Sequence, residues 1–255
     1  MAEGETLGPG EPGRLGAPSN WSMSAKFQAI LKRLKAHKNP VNIAGMARFG
    51  IATDKAFGIK HPDLKQIARE YRRDHALAQE LWSSGYHEAR LLAVDIDDPK
   101  QVTEAQAEAW VKDIVSWDIC DGFTGNLIDK TPFAYKKAVQ WAHRDEEFVR
   151  RAGFALMAWL PVHDKKAPDG KFDPFFPLIL RYATDERNFV KKAVNWALRQ
   201  LGKRSLALNR RAIKTARQIA KLDSKAARWI AKDALKELEG DSVQTRLREK
   251  AKKGK

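Results

Sequence analysis

The chain has 255 residues, of which 43% are hydrophobic, so it can bury a core as one large domain or two small ones. Its 47 Lys and Arg against 32 Asp and Glu give a net charge of +15, which favours a polyanionic partner over a merely basic surface. A single cysteine excludes an internal disulfide, and no apolar run approaches the ~20 residues of a membrane span. We therefore expect a cytoplasmic protein with no membrane partner. We also expect it to be a monomer.

The two ends of the chain differ in composition from its body. Residues 1–22 are rich in Gly and Pro and lack the cationic start and apolar core of a secretory signal. We predict a disordered leader there, with Met23 as an alternative beginning. A single helical domain is predicted over residues 23–240, followed by a basic flexible tail over residues 241–255.

From Ser24 onward the apolar residues recur at helical spacing, and no convincing strand pattern interrupts them. Ser24 and Thr103 are predicted N-caps, and Pro161 is predicted to end a helix. After a first helix that ends at Asn39-Pro40, helices are predicted at 41–49, 61–71, 76–82, 86–93, 103–114, 117–128, 133–142, 148–160, 175–182, 188–201, 205–222 and 224–238. The fold class is therefore all-α.

The predicted helices resemble one another. The heptads that begin at Lys136 and Lys191 read KKAVQWA and KKAVNWA, and looser copies begin at Arg150 and Ala227. A two-helix unit that recurs about every 35–45 residues indicates an α-solenoid with a concave surface. Paired cations at helix starts either solvate those starts or line that surface as a positive track. Because cations there oppose the helix macrodipole, we favour a bound anion.

The positive charge lies mostly near the C-terminus. Residues 199–255 hold 18 Lys and Arg against 6 Asp and Glu. Cations between Arg210 and Lys232 recur at steps of three and four residues, which places several of them on common helix faces. Such faces hold a nucleic-acid backbone through phosphate contact, with little sequence information.

Several kinds of active site are disfavoured. The six histidines are scattered and Cys120 stands alone, so no paired-cysteine or His-Glu-x-x-His metal site is present. No Gly-rich phosphate loop follows a strand, and no serine or cysteine has a triad order around it. We expect Cys120 to be packed rather than reactive.

Acidic, aromatic and basic residues remain as candidates. Trp117 and Asp121 lie four residues apart, so they share one face of a predicted helix. Asp118 lies three residues before Asp121; both cannot point into one groove, and the residues alone do not choose between them. Most of the tryptophans are expected in the core, namely Trp82, Trp110, Trp141, Trp159 and Trp229.

Three stretches together resemble the AlkD-like DNA alkylation repair glycosylases, which are built from HEAT-like helical repeats. They read SWDICD at 116–121, FVRRAGFA at 148–155 and DERNFVKKAVNWALR at 185–199, and the resemblance extends over about residues 24–238. It implies an α-α superhelix of HEAT-like repeats with a concave basic face. It also implies removal of cationic alkylpurines, such as 3-methyladenine and 7-methylguanine, from double-stranded DNA without a metal or cofactor. A DNA-bound protein of this kind would be nucleoid-associated.

The resemblance also assigns roles to residues. It makes Asp121 the catalytic carboxylate, and it puts Trp117 and Trp196 beside the lesion. Arg151 is expected to hold the DNA backbone, with Arg150 as the alternative, and the other backbone-binding residues are expected to be Lys191, Lys192 and Arg199. The family's N-terminal tyrosine has no counterpart, since Gly45-Met46 occupies that region, so one aromatic wall is expected to be missing or rebuilt.

The resemblance favours a monofunctional glycosylase, since no lysine is visibly placed beside Asp121. The main alternative is a HEAT-like module that binds nucleic acid by shape and charge without catalysis. A third possibility is a scaffold whose cations meet acidic proteins. The binding module would tolerate Asp121→Asn, and the scaffold would show little salt-dependent affinity for DNA.

Overall fold

A computed structural model describes residues 23–253; the predicted leader at 1–22 lies outside them. Over the described residues the chain forms fourteen α-helices and no strand. The helices are α1 Ala25–Ala36, α2 Pro40–Arg48, α3 His61–Glu70, α4 His75–Ser83, α5 His87–Ile96, α6 Glu104–Lys112, α7 Trp117–Gly122, α8 Ala134–Ala142, α9 Glu147–His163, α10 Phe175–Arg181, α11 Asn188–Gly202, α12 Leu206–Ile219, α13 Lys225–Leu238 and α14 Asp241–Lys253. The predicted all-α solenoid is confirmed.

Local capping chemistry sets many of the helix starts. The side chains of Ser24 and Thr103 accept hydrogen bonds from the backbone N–H groups of Phe27 and Gln106, as predicted. Further N-caps of the same kind are Asn39, Asp74, Ser205 and Ser224. Each cap satisfies an N–H group that has no partner inside the helix.

The helices pack in two rows. One row, here called the inner row, contains α7, α9, α11 and α13, and the other, the outer row, contains α8, α10 and α12. Each outer helix packs against the inner helix that follows it in the chain. This repeated pairing is what an α-solenoid requires, because each pair buries its apolar side against its neighbours.

A line of aromatic rings runs through the N-terminal half of the core. Trp82 and Trp110 stack with ring centroids 4.2 Å apart, and Phe123 lies 5.9 Å from the ring of Trp141. All four rings are buried. The predicted core positions of Trp82, Trp110 and Trp141 are confirmed, whereas Trp229 is 40% exposed and its predicted core position is wrong.

The ends of α7 and α9 are among those that differ from the prediction. The segment after α7 is not continuous α-helix to Ile128, since Phe123–Leu127 is π-helical and Ile128–Lys130 is a 3₁₀ turn. Helix α9 does not stop at Pro161 but continues to His163. Beyond the proline, His163 is held by Asp129, and the Pro161 carbonyl accepts a hydrogen bond from Arg204 at 2.7 Å. These contacts stabilise a last turn that proline alone would disfavour.

The segment expected to be a flexible tail is also helical. In α14, Val243 and Leu247 are 7% and 1% exposed, so the helix is packed on the domain. The amide of Gln244 donates to the Asn209 side chain at 3.0 Å and to the Leu238 carbonyl at 2.7 Å. The predicted tail is corrected accordingly: two apolar side chains and an amide anchor an otherwise polar helix. Within residues 23–253, no helix is both long and apolar enough to span a membrane.

Candidate active site

Seven residues from the inner row and the N-terminal segment line a cavity of about 350 Å³. Five of them are predicted site residues: Trp117, Asp121, Arg151, Lys192 and Trp196. The other two, Phe49 and Phe189, were not singled out from the sequence. The structure thus brings an acid, two cations and four aromatic rings to one place.

The cavity lies near the N-terminal ends of three inner helices. Trp117 begins α7, while Arg151 and Lys192 lie in the early turns of α9 and α11. The N-terminus of a helix carries partial positive charge and free N–H groups, so these ends favour an anion such as a phosphate. The positive charges of Arg151 and Lys192 add to that preference.

Asp121 and Arg151 form a forked ion pair. The Nη2 of Arg151 donates to both carboxylate oxygens of Asp121 at 2.8 Å, and its Nε donates to Oδ1 at 3.2 Å. The remaining Nη1 donates to the Phe189 carbonyl at 2.8 Å. Arg151 is only 5% exposed and all three of its nitrogens are engaged, so the guanidinium fixes the orientation of the carboxylate.

The ionisation of Asp121 is shifted by its surroundings. Burial raises the pKa of its carboxyl from the ordinary 3.8 to about 6, although Arg151 opposes the shift. The side chain keeps 22% of its surface exposed, towards the cavity. Asp121 is therefore ionised above about pH 6 in a poorly hydrated place, where a charge interacts strongly with its surroundings.

Asp118 belongs to a separate network. Its carboxylate accepts a hydrogen bond from the Ser116 hydroxyl at 2.8 Å and lies 2.8 Å from Nε2 of the buried His87. Burial disfavours its ionised form, but these two partners hold the pKa of Asp118 below its ordinary value. Asp118 is absent from the cavity lining, and of the two acids only Asp121 faces the cavity.

A turn at Phe49-Gly50 joins the N-terminal segment to the cavity. The Phe49 carbonyl accepts a hydrogen bond from the indole N–H of Trp117 at 3.0 Å, and the Phe49 ring is 72% exposed. Gly50 has φ +72°, and a Cβ there would lie 2.9 Å from the Phe189 ring. Phe49 therefore supplies an aromatic ring from the N-terminal region, where the family tyrosine was expected to be missing. The sequence MARFGI at positions 46–51, which contains Phe49, could have indicated this ring.

The ring of Trp196 packs against a second tryptophan, Trp159. The ring of Trp159 meets Trp196 edge-on, with centroids 4.9 Å apart at 82°. A Cβ on Gly125, in the π-helical turn, would lie 2.5 Å from the Trp159 ring. Trp159, predicted to be core, is half-buried. The irregular turn after α7 thus makes room for the ring that supports Trp196.

The other three predicted backbone-binding residues lie outside the cavity lining. Arg150 pairs with Asp185 at 2.9 Å and stacks on Tyr182 at 4.5 Å, and it is buried. Lys191 lies over the ring of Trp229 at 5.3 Å. Arg199 pairs with Asp233 at 3.1 Å and with Glu237. Arg151 and Lys192 therefore line the cavity, whereas their sequence neighbours Arg150 and Lys191 do not.

Other chemistries have little support near the cavity. Cys120 is fully buried, and burial raises the pKa of its thiol, which keeps it protonated. Among residues 23–253, no group of three or more His, Cys, Asp and Glu side chains is arranged to hold a metal ion.

No curated protein sequence matches the chain. A solved structure from "a new family of proteins related to the HEAT-like repeat DNA glycosylases with affinity for branched DNA structures" is similar in fold: TM-score 0.71, 20% identity, covering 87% of this chain and 95% of that one. A predicted DNA alkylation repair enzyme from Enterococcus faecalis is also similar: TM-score 0.57, 19% identity, covering 76% and 95%. Residues 30–238 match the family described as DNA alkylation repair enzyme, and the chain belongs to that family.

Proposed function

We propose that the protein is a monofunctional DNA glycosylase that hydrolyses the N-glycosidic bond of cationic alkylated purines, such as 3-methyladenine and 7-methylguanine. Membership of the DNA alkylation repair enzyme family supports a repair role. The observation that carries the reaction class is the partly buried Asp121, which lines a cavity together with four aromatic rings near the N-terminal ends of three helices.

The chemistry follows from the charge of the substrate. A purine alkylated at a ring nitrogen is cationic, so its glycosidic bond breaks with the electron pair on a neutral leaving base, and no acid is needed. Positive charge then grows on the sugar. The carboxylate of Asp121 stabilises that charge and orients a water, whose oxygen bonds to the anomeric carbon while its proton is released. The products are the free base and an intact strand with an abasic site.

Arg151 and Lys192 have different parts in this proposal. Arg151 is buried and forked onto Asp121, so it positions the carboxylate and favours its ionised form. The exposed Lys192 reaches solvent at the same cavity and contacts a phosphate that flanks the lesion. A phosphate contact by Arg151, as the family resemblance suggests, requires its guanidinium to leave Asp121 or Phe189.

The aromatic side chains select the damaged base. A cation over the face of a tryptophan gains roughly 0.5–2 kcal/mol, depending on how dry the contact is. Trp117 and Trp196 offer such faces, and Phe49 adds a third ring at the cavity. A neutral purine gains less from the same rings, so the preference is for alkylated bases.

The alternative is a non-catalytic module that binds nucleic acid by shape and backbone. It is favoured by the forked ion pair, since Arg151 already occupies both oxygens of Asp121. The similar structure described as having affinity for branched DNA also supports it by analogy. In that case the pair would serve only to join α7 to α9.

Release of free base separates the two functions. Duplex DNA treated with a methylating agent is incubated with the protein or with buffer, and the released bases and the strand lengths are measured. The glycosylase releases methylpurine above the spontaneous rate and leaves strands uncut until they are treated with alkali. Binding without release would contradict the glycosylase, and direct strand cleavage would contradict its monofunctional character.

A further inference from the structure

The exposed side of α12 carries a row of cations. Arg210, Lys214, Arg217 and Lys221 follow one another at steps of four, three and four residues. Arg210, Lys214 and Arg217 lie on the side of α12 opposite to its buried residues, and Lys221 follows two residues after the helix ends. The buried residues of α12 are Leu208, Asn209, Ala212, Thr215, Ala216 and Ile219. From Arg210 to Arg217 the row runs about 10 Å along the helix axis, and Lys221 extends it into the turn beyond the helix.

Acidic residues do not neutralise most of this row. Residues 187–222 include 11 Lys and Arg and no Asp or Glu. Within the described part of the chain, Arg210, Lys214 and Lys221 have no carboxylate within ion-pair distance. Arg217 pairs with the exposed Glu239 at 2.8 Å, while Arg211 turns towards Asp173 and the ring of Phe176. The three unpaired cations are therefore available to a polyanion.

These cations belong to the outer row of helices in the solenoid. Helix α12 packs against α10, α11, α13 and α14, and its exposed side points away from the inner row. Asp121, Arg151 and Lys192 lie on inner-row helices. A DNA segment bound at the cavity is thus held by one layer of the protein, and the α12 cations belong to the other.

The surface itself suits a backbone rather than a small apolar ligand. Arg210, Lys214, Arg217, Gln218 and Lys221 border a shallow groove of about 480 Å³ in which Ile213 is the apolar residue. A duplex presents one phosphate per about 1.7 Å of its axis, so a row of this length lies alongside several phosphates. Cations without base-reading partners hold such a backbone regardless of sequence.

We infer that the exposed face of α12 is a second duplex-docking surface, which binds the phosphate backbone of another DNA segment while the cavity holds the first. One protein could thereby hold two duplexes, or two arms of one molecule. This inference does not rest on base excision, since it concerns a different layer of the fold.

Capture of a second duplex tests it. A biotinylated duplex is immobilised so sparsely that protein molecules bound to it stay separate from one another. Retention of a labelled second duplex is then measured at increasing salt concentration. With Arg210→Ala, Lys214→Ala and Lys221→Ala combined, the slope of log affinity against log salt for the second duplex should fall by about 2.7, since each phosphate contact contributes about 0.9. Affinity for the first duplex should change far less.

A matched control removes the same charge elsewhere. Lys32, Lys35 and Lys38 are exposed cations at the other end of the chain, on and just after α1, and the triple alanine variant there should retain the second duplex. Equal loss in both variants would mean that only net charge matters, and would overturn the inference. So would unchanged capture by the α12 variant, or capture that sedimentation shows to require two protein copies per pair of duplexes. Both variants are checked for unchanged melting temperature.

Discussion

Asp121 should make the folded protein less stable as the pH rises, and replacement by Asn isolates this effect. Burial raises the pKa of its carboxyl in the folded protein to about 6, whereas its ordinary value is 3.8. The folded state therefore holds this proton more tightly than the unfolded chain does. The resulting stabilisation is fully present below pH 3.8 and is lost as the pH rises towards 6.

The magnitude follows from the shift. About two pKa units correspond to roughly 3 kcal/mol, and about half of this, roughly 1.5 kcal/mol, is lost between pH 5 and pH 8. Urea unfolding of wild type and Asp121→Asn at pH 5, 6, 7 and 8 measures it. The free energy of unfolding of the wild type, relative to the variant, should fall by that amount across the series. Other carboxyl groups contribute to both proteins and cancel, and an arginine does not titrate in this range.

A flat difference between the two proteins would refute this reasoning. It would mean that the carboxyl of Asp121 is as well hydrated in the folded state as in the unfolded chain. A difference that grows with pH would show instead that Arg151 outweighs burial. In either case the site would lack the poorly hydrated carboxylate on which the proposed chemistry depends.

Three further predictions concern the site and its support. Single-turnover release of 7-methylguanine, corrected for spontaneous loss, should rise about tenfold per pH unit below about pH 6 and level off above it, since ionised Asp121 is the active form; a rate independent of pH would contradict this. Gly153→Ala should cost about 1–3 kcal/mol in chemical unfolding, because its methyl group would lie 2.4 Å from the Ala142 nitrogen, whereas Gly170→Ala, with nothing within 4 Å, should cost far less. Arg150→Leu should lower the melting temperature but not the DNA affinity of the folded protein, whereas Lys192→Ala should lower the DNA affinity but not the melting temperature. Thermal melting and DNA titration measure the two effects. If both variants changed both quantities equally, the two residues would not have the different roles assigned to them.

The helices and the acid could be predicted from the sequence because their signals are local. Ser24 and Thr103 cap the helices that they precede, and capping depends on a few adjacent residues. The four-residue spacing of Trp117 and Asp121 places both side chains on the cavity side of α7. The resemblance to the family supplied the choice between Asp121 and Asp118, which the spacing alone did not.

The partners of the arginines could not be predicted, because they come from distant parts of the chain. Arg150 and Arg151 are adjacent, yet they point about 100° apart around α9. One meets Asp185 on the next repeat and the other meets Asp121 on the previous one. Which of two neighbouring cations faces the cavity depends on this packing.

The wrong predictions for Trp229 and for the C-terminal tail also have their causes in tertiary contacts. Trp229 was expected in the core from its apolar ring, but it lies on the exposed side of α13, under the cation of Lys191. The polar composition of α14 indicated a flexible tail, whereas Val243 and Leu247 suffice to anchor it. In each case one or two tertiary contacts outweigh the average character of the segment.

The role of Asp121 is tested most directly by comparing Asp121→Asn with Asp118→Asn in base release. Both variants replace a carboxylate by an amide on the same helix, but only Asp121 lines the cavity. With a duplex that carries one 7-methylguanine, Asp121→Asn should lose about 10²-fold or more in rate while it still binds DNA, and Asp118→Asn should keep most of the activity. Release by Asp121→Asn at the wild-type rate, or equal loss in the two variants, would contradict the catalytic role of the Asp121 carboxylate.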